Sequence, residues 1–187
     1  MREIHITKMK LTKEETLEIN YDEILTEEGQ DPIINHITLV GGHKAHPDVV
    51  EAIKRLTIHG AIICEQIKPA KQGKGQTTVS PGGAVVAIPI KLDADQLAIL
   101  DSCQVYGFTI GGDDEKPGAI LSMKRRLANN QMIIINSPFA EFDKENGYKY
   151  RSKLAEDIES ACQEGILYLE GKKAPDPQLD MFETQTA

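Results

Sequence analysis

Residues 118–136, "GAILSMKRRLANNQMIIIN", decide the fold. Two runs rich in apolar and β-branched residues flank Asn129-Asn130, a pair that tolerates the positive φ of a tight hairpin turn. Strands joined by such a turn are antiparallel neighbours. The second run, "QMIIIN", is apolar enough to predict a strand buried on both faces. Upstream, "CQVYGFTIGG" (103–112) alternates as a strand with Tyr106, Phe108 and Ile110 expected on one side. Downstream, residues 150–171 carry Leu154, Ile158, Ala161, Gly165 and Leu169 at helical spacing, with Gly171 placed to cap the C-terminus. The order is strand, strand, strand, helix.

The first third of the chain repeats that order. "EIHITKMKL" (3–11), "TLEINYDEI" (16–24) and "HITLVGG" (36–42) read as strands, the first two by clear alternation. Pro47 suits the first turn of a helix, and Asp48 complements its positive end. Val49, Ile53, Leu56, Gly60 and Ile63 predict one apolar stripe on one helix. The expected class is therefore α+β, an antiparallel sheet with helices on one side, consistent with two βββα units. The units span 1–67 and 102–171, joined by a basic loop and connector at 68–101 and followed by a tail at 172–187. Within the connector, Lys68 to Gly83 is rich in Gly, Lys, Thr and Pro and reads as a mobile loop. Ala84–Ile90 is an expected extra strand that Pro89 pushes to an edge, and Asp93–Leu100 one or two helical turns.

Composition narrows the function classes. The 187 residues are 40% hydrophobic and 27% charged, with a formal net charge of −8. That is globular, and too acidic overall for a surface that wraps nucleic acid everywhere. The three cysteines, Cys64, Cys103 and Cys162, are widely spaced in apolar surroundings and read as buried free thiols of a reducing compartment. The beginning "MREIHITKMK" has no apolar core of signal-peptide length, and no run is long enough for a membrane span. A cytoplasmic protein is expected.

Signals for chemistry are weak. His43 and His46 in "GGHKAHPD", with His36 nearby, lack a third ligand, so no metal is assigned. "KQGKGQTT" lacks the phosphate-loop spacing and a following helix, and no cofactor is assigned. Asp113, Asp114 and Glu115 are consecutive at a turn, as solubilising groups are. No catalytic triad, Cys-His pair or dinucleotide fingerprint is present, and the chain is read as a non-enzyme.

Basic groups concentrate in two places, Lys68, Lys71 and Lys74 in the loop and Lys124, Arg125 and Arg126 near the hairpin turn. Tyr106 and Phe108 lie on the preceding strand. Stacking aromatics beside cations are what single-stranded nucleic acid binding uses. The other fate open to these two rings is the core beneath the helices.

The tail "APDPQLDMFETQTA" sets three apolar side chains behind Pro175 and Pro177, where helix continuation is broken and mobility is expected. Its stretch Gln178-Leu179-Asp180-Met181-Phe182 resembles the motif by which bacterial replication and repair proteins dock on the DNA polymerase sliding clamp. The resemblance implies that Gln178 enters a polar pocket while Leu179, Met181 and Phe182 fill an apolar cleft. Met181 stands where leucine is usual, an adaptable side chain of similar volume. The other reading of Met181 and Phe182 is packing on the chain's own core or on a second copy. In size and motif the chain also resembles the small proteins that phages and prophages carry beside replication and recombination genes.

The expected function is an accessory role in phage-type DNA replication, recombination or repair, with the clamp and single-stranded DNA as partners. The alternative is a phage anti-defence sponge or inhibitor that captures a small anionic ligand or a host protein. A homo-oligomer with exchanged tails is the third reading.

Overall fold

The computed structural model describes residues 1–68, 78–79, 82–83, 85–86, 88–113, 115–143 and 147–172. The first strands are β1 (Arg2–Leu11), β2 (Thr16–Leu25) and β3 (Ile33–Lys44), followed by helices α1 (Pro47–Arg55) and α2 (Thr57–Ile63). A two-stranded ribbon, β4 (Thr78–Val79) with β5 (Val85–Val86), precedes α3 (Ala94–Ser102). Strands β6 (Cys103–Gly111), β7 (Gly118–Arg126), β8 (Met132–Asn136) and β9 (Ala140–Glu141) lead into α4 (Arg151–Leu169).

The main sheet runs β3-β2-β1-β6-β7-β8, with β9 pairing β7 beyond the end of β8, and every pairing is antiparallel. The first strand of each βββα half is therefore central, and the halves meet where β1 pairs β6. The register there is two-fold symmetric. Met9 lies opposite Phe108, with Lys8 opposite Thr109 on one side and Lys10 opposite Gly107 on the other. Each central strand also carries a bulge at the matching place, between Ile6 and Lys8 in β1 and between Val105 and Gly107 in β6. Extra residues at equivalent positions bend the two strands alike.

The helices cross over this seam. A Cβ on Gly165 of α4 would lie 2.7 Å from Ile6 Cδ1 of β1, and one on Gly60 of α2 would lie 3.0 Å from Val105 Cγ2 of β6. Each half thus lays its helix on the other half's first strand, and glycine permits that approach. The main core is continuous across both halves, from Leu17 and Ile19 through Ile53, Leu56 and Phe108 to Leu154 and Ile158. Leu169 is partly buried against it. A second, smaller cluster joins Ile58 and Ala61 to Val86, Ile88, Ile90 and Leu100, seating the ribbon and α3 against α2.

Local signals explain the boundaries. Asp93 caps α3 in a reciprocal box with Gln96, and Asn130 takes φ 63° in the β7–β8 turn. Gly171 follows α4 at φ 110°. The predicted single first helix is two short ones. Leu56 ends α1 and is the N-cap position of α2, whose Thr57, Ile58, His59, Gly60 and Ala61 are all buried. A seven-residue helix buried through five consecutive positions has no solvent face, so the one-stripe pattern cannot describe it.

Two further expectations are corrected. β8 is an edge strand, and Met132, Ile133 and Ile134 are exposed rather than buried on both faces. Tyr106 and Phe108 do not share a side. The bulge at Tyr106 shifts the alternation by one residue, which sends Phe108 into the core at 1% exposure and leaves Tyr106 half-buried with Lys124 over its ring. Among the described residues no helix is long and apolar enough to cross a membrane.

Candidate nucleic-acid interface

Among the described residues, the helices cover one face of the sheet and leave the other open. On β7, burial alternates, so Ala119, Leu121 and Met123 face the helices while Ile120, Ser122, Lys124 and Arg126 face outward. The same alternation splits the basic triplet. Lys124 and Arg126 lie on the open face, whereas Arg125 turns inward, where its Nη1 donates to Gln66 Oε1 and its Nε is buried without a partner.

Across the ladder, Gln104 pairs Lys124, and Tyr106 sits in the adjoining bulge. Lys124 Nζ stands 4.6 Å from the centre of the Tyr106 ring. A cation over an aromatic face is attractive by about 0.5–1 kcal/mol at an exposed site. It also holds the ring and the ammonium together on the open face. Phe108 is withdrawn into the core and cannot stack a base.

The electrostatics of the two halves differ. β6, β7 and β8 contain no Asp or Glu at all, and their only charges are Lys124, Arg125 and Arg126. In the first half, β1 and β2 contribute Glu3, Glu18, Asp22 and Glu23. Glu18 accepts from Lys8 Nζ at 2.7 Å and stands 3.9 Å from Lys10 Nζ, and the Lys8 hydrogen bond holds its carboxyl below the ordinary value. Asp22 pairs His36 at 2.6 Å. Neither Lys124 nor Arg126 pairs a carboxylate among the described residues. On a chain of net charge −8, the open face of β6–β8 is a local patch of free cation beside an aromatic ring.

The remaining candidates fall elsewhere. Lys68 is exposed at the end of the first half, and Lys71 and Lys74 lie outside the described residues, as do Asp114 and the tail from residue 173 on, with Gln178, Leu179, Asp180, Met181 and Phe182. Asp113 Oδ1 accepts from the backbone of Glu115 and Lys116, which closes the β6–β7 turn on itself. His46 Nδ1 accepts from Asp48 N as the cap of α1. No group of three His, Cys, Asp or Glu side chains is gathered for a metal among the described residues.

A cavity of about 770 Å³ opens between α1 and the loop around Gly82, lined by Glu15, Glu51 and Asp101 together with Lys44 and Lys54. Three carboxylates against two ammonium groups do not favour an anion there. The three thiols are all free, and burial pushes each upward, Cys162 to about 12. They are protonated and poorly nucleophilic at neutral pH.

One polar cluster had no sequence signal. His59 is fully buried in α2, with Nε2 at 3.0 Å from Asp157 Oδ2 and Nδ1 at 2.8 Å from the Tyr148 hydroxyl. Lys153 Nζ donates to Asp157 Oδ1 at 2.7 Å. Burial pushes the Asp157 carboxyl up, but the His59 and Lys153 hydrogen bonds outweigh it and hold the group below its ordinary value. Burial drives the Tyr148 phenol strongly upward, so it stays neutral. The cluster ties α2 to α4 across 98 positions and does not line the cavity. A satisfied buried network of this kind fixes how helices sit.

No family model matches the chain, and neither a curated protein nor a solved structure resembles it significantly.

Proposed function

We propose that the protein is a non-enzymatic accessory factor of phage-type DNA replication, recombination or repair that binds single-stranded nucleic acid on the open face of β6–β8. The observation that carries this reading is Lys124 standing 4.6 Å over Tyr106 on a helix-free face whose strands hold no carboxylate. A base takes the place of Lys124 over the ring, and Lys124 and Arg126 swing to phosphates on either side. Without a hydrogen-bonding pocket for a base edge, this mode is tolerant of sequence. In this reading the tail tethers the factor to the bacterial sliding clamp through Gln178, Leu179, Asp180, Met181 and Phe182, on the strength of the motif alone.

The test is titration of a fluorescent single-stranded oligonucleotide at low and moderate salt. Wild type binds at low salt and weakens as salt rises. The double variant Tyr106→Ala/Lys124→Ala loses at least tenfold in affinity, since stacking alone contributes about 1–3 kcal/mol per base. Unchanged affinity in the variant, or no complex at low salt, overturns the reading.

A further inference from the structure

The two outer strands of the sheet occupy equivalent places but are built differently. Both are third strands of their halves, and Ile37 opposite Tyr21 matches Ile135 opposite Met123. By that match, Asn35 and His36 of β3 stand where β8 has Ile133 and Ile134. β3 therefore interrupts its edge with polar groups at those two places, although Ile33, Ile34 and Val40 elsewhere on it are exposed. His36 pairs Asp22, and Asn35 Nδ2 donates to Glu23. Such groups discourage pairing with another strand. Among the described residues β8 has none of this protection. Its sequence is Met-Ile-Ile-Ile-Asn, without a charge or a proline, and Ile134 is 67% exposed on the open face. Ile133, on the helix side, is exposed as well. An unprotected apolar edge is a template for another strand.

We propose that β8 is a dimerisation edge, and that its occupant is β8 of a second copy of this chain, paired antiparallel about a two-fold axis through Ile134. Five residues paired this way place Ile134 against its own counterpart on the open face and Ile133 against Ile135 on the helix face. Met132 then meets Asn136. Pairing with β3 instead sets isoleucines against Asn35 or His36, and a foreign strand has no such guaranteed match. The strand carries no charge, so the two copies meet without like-charge contact. Lys124 and Arg126 of each copy lie one strand further from the axis. A two-fold pairing closes at two copies and extends one sheet across both. The edge is short beside the roughly 1,600 Å² of a standard interface, so the dimer is weak and depends on concentration. It does not rest on the nucleic-acid reading.

Sedimentation equilibrium of the full chain over a wide concentration range tests this directly. The mass should rise from that of the 20.6 kDa chain toward twice that value. Ile134→Lys, at an exposed site where folding is undisturbed, should weaken the dimer at least tenfold, and Ile34→Lys on β3 should leave it unchanged. As a second readout, Ile134→Cys should form an intermolecular disulfide under mild oxidation, since directly opposed residues of antiparallel strands have Cα atoms about 4.5–5.5 Å apart, inside the roughly 4.4–6.8 Å that a disulfide spans. Three results overturn the proposal. One is a monomer at every concentration with no cross-link. Another is dissociation by Ile34→Lys, and the last is growth beyond two copies, which is head-to-tail pairing of β3 with β8.

Discussion

Met9 and Phe108 face each other across the β1–β6 seam, each fully or almost fully buried and each two residues beyond a matching bulge residue, Thr7 and Tyr106. This pair sits on the local two-fold axis of the sheet. The crossed helices and the equivalent edges are arranged on either side of it. What the halves do not share is the charge of the open face and the polarity of the outer strand.

The seam depends on close backbone approach at Gly107. A Cβ there would stand 2.6 Å from the Met9 carbonyl oxygen and 3.0 Å from Lys10 Cα, both backbone atoms that cannot swing aside. Gly107→Ala should therefore destabilise the fold by about 1–3 kcal/mol. Urea unfolding monitored by circular dichroism measures the loss, and a variant as stable as wild type would mean the seam tolerates separation.

Stability should fall in acid partly through Asp157. Its carboxyl is held below the ordinary 3.8 in the folded protein, so its contribution is complete above that value. That contribution is lost as pH drops below about 3.8 toward the lower folded value. Asp157→Asn should cost about 1–3 kcal/mol at neutral pH, because His59 loses a charged acceptor in the core. It should also flatten the acid limb of the stability curve. An unchanged acid limb in the variant would place the acid sensitivity on other carboxylates.

The basic triplet should divide by face. Lys124→Ala/Arg126→Ala should lower oligonucleotide affinity and reduce the salt slope by up to about 1.4, at about 0.7 per single-strand phosphate contact. Arg125→Ala should leave both nearly unchanged, since that guanidinium points inward to Gln66. Equal losses from both variants would show that the alternation of faces does not govern binding.

The tail gives a separate expectation. A peptide spanning Pro175 to Glu183 should bind a bacterial sliding clamp with micromolar affinity. Burial of each large apolar side chain contributes about 1.5–3 kcal/mol, offset by ordering at about 1–2 kcal/mol per residue. A version with Leu179→Ala and Phe182→Ala should not bind, and equal binding by both peptides removes the clamp from the proposal.

Alternation and turn chemistry made most of the sheet legible in the sequence. Asn129-Asn130, Pro47 and Gly171 marked boundaries that the structure keeps. The misread features have one physical origin, since local pattern does not encode position in the sheet. "QMIIIN" has the composition of a central strand and lies at an edge. The bulge at Tyr106 inserts a residue and reverses the face of all that follows, so Phe108 went to the core while Tyr106 stayed half-buried on the open face. The alternating faces of Lys124, Arg125 and Arg126 were readable from strand period alone. His59 and Asp157, 98 positions apart, left no local trace.

Photocross-linking of a single-stranded oligonucleotide carrying iodouracil, followed by mass-spectrometric mapping, reports which face of the sheet the strand occupies. The proposal predicts adducts on Tyr106, within Cys103–Gly111, that disappear at high salt and in Lys124→Ala/Arg126→Ala. Adducts confined to the helix-covered side, or none at low salt, would contradict it.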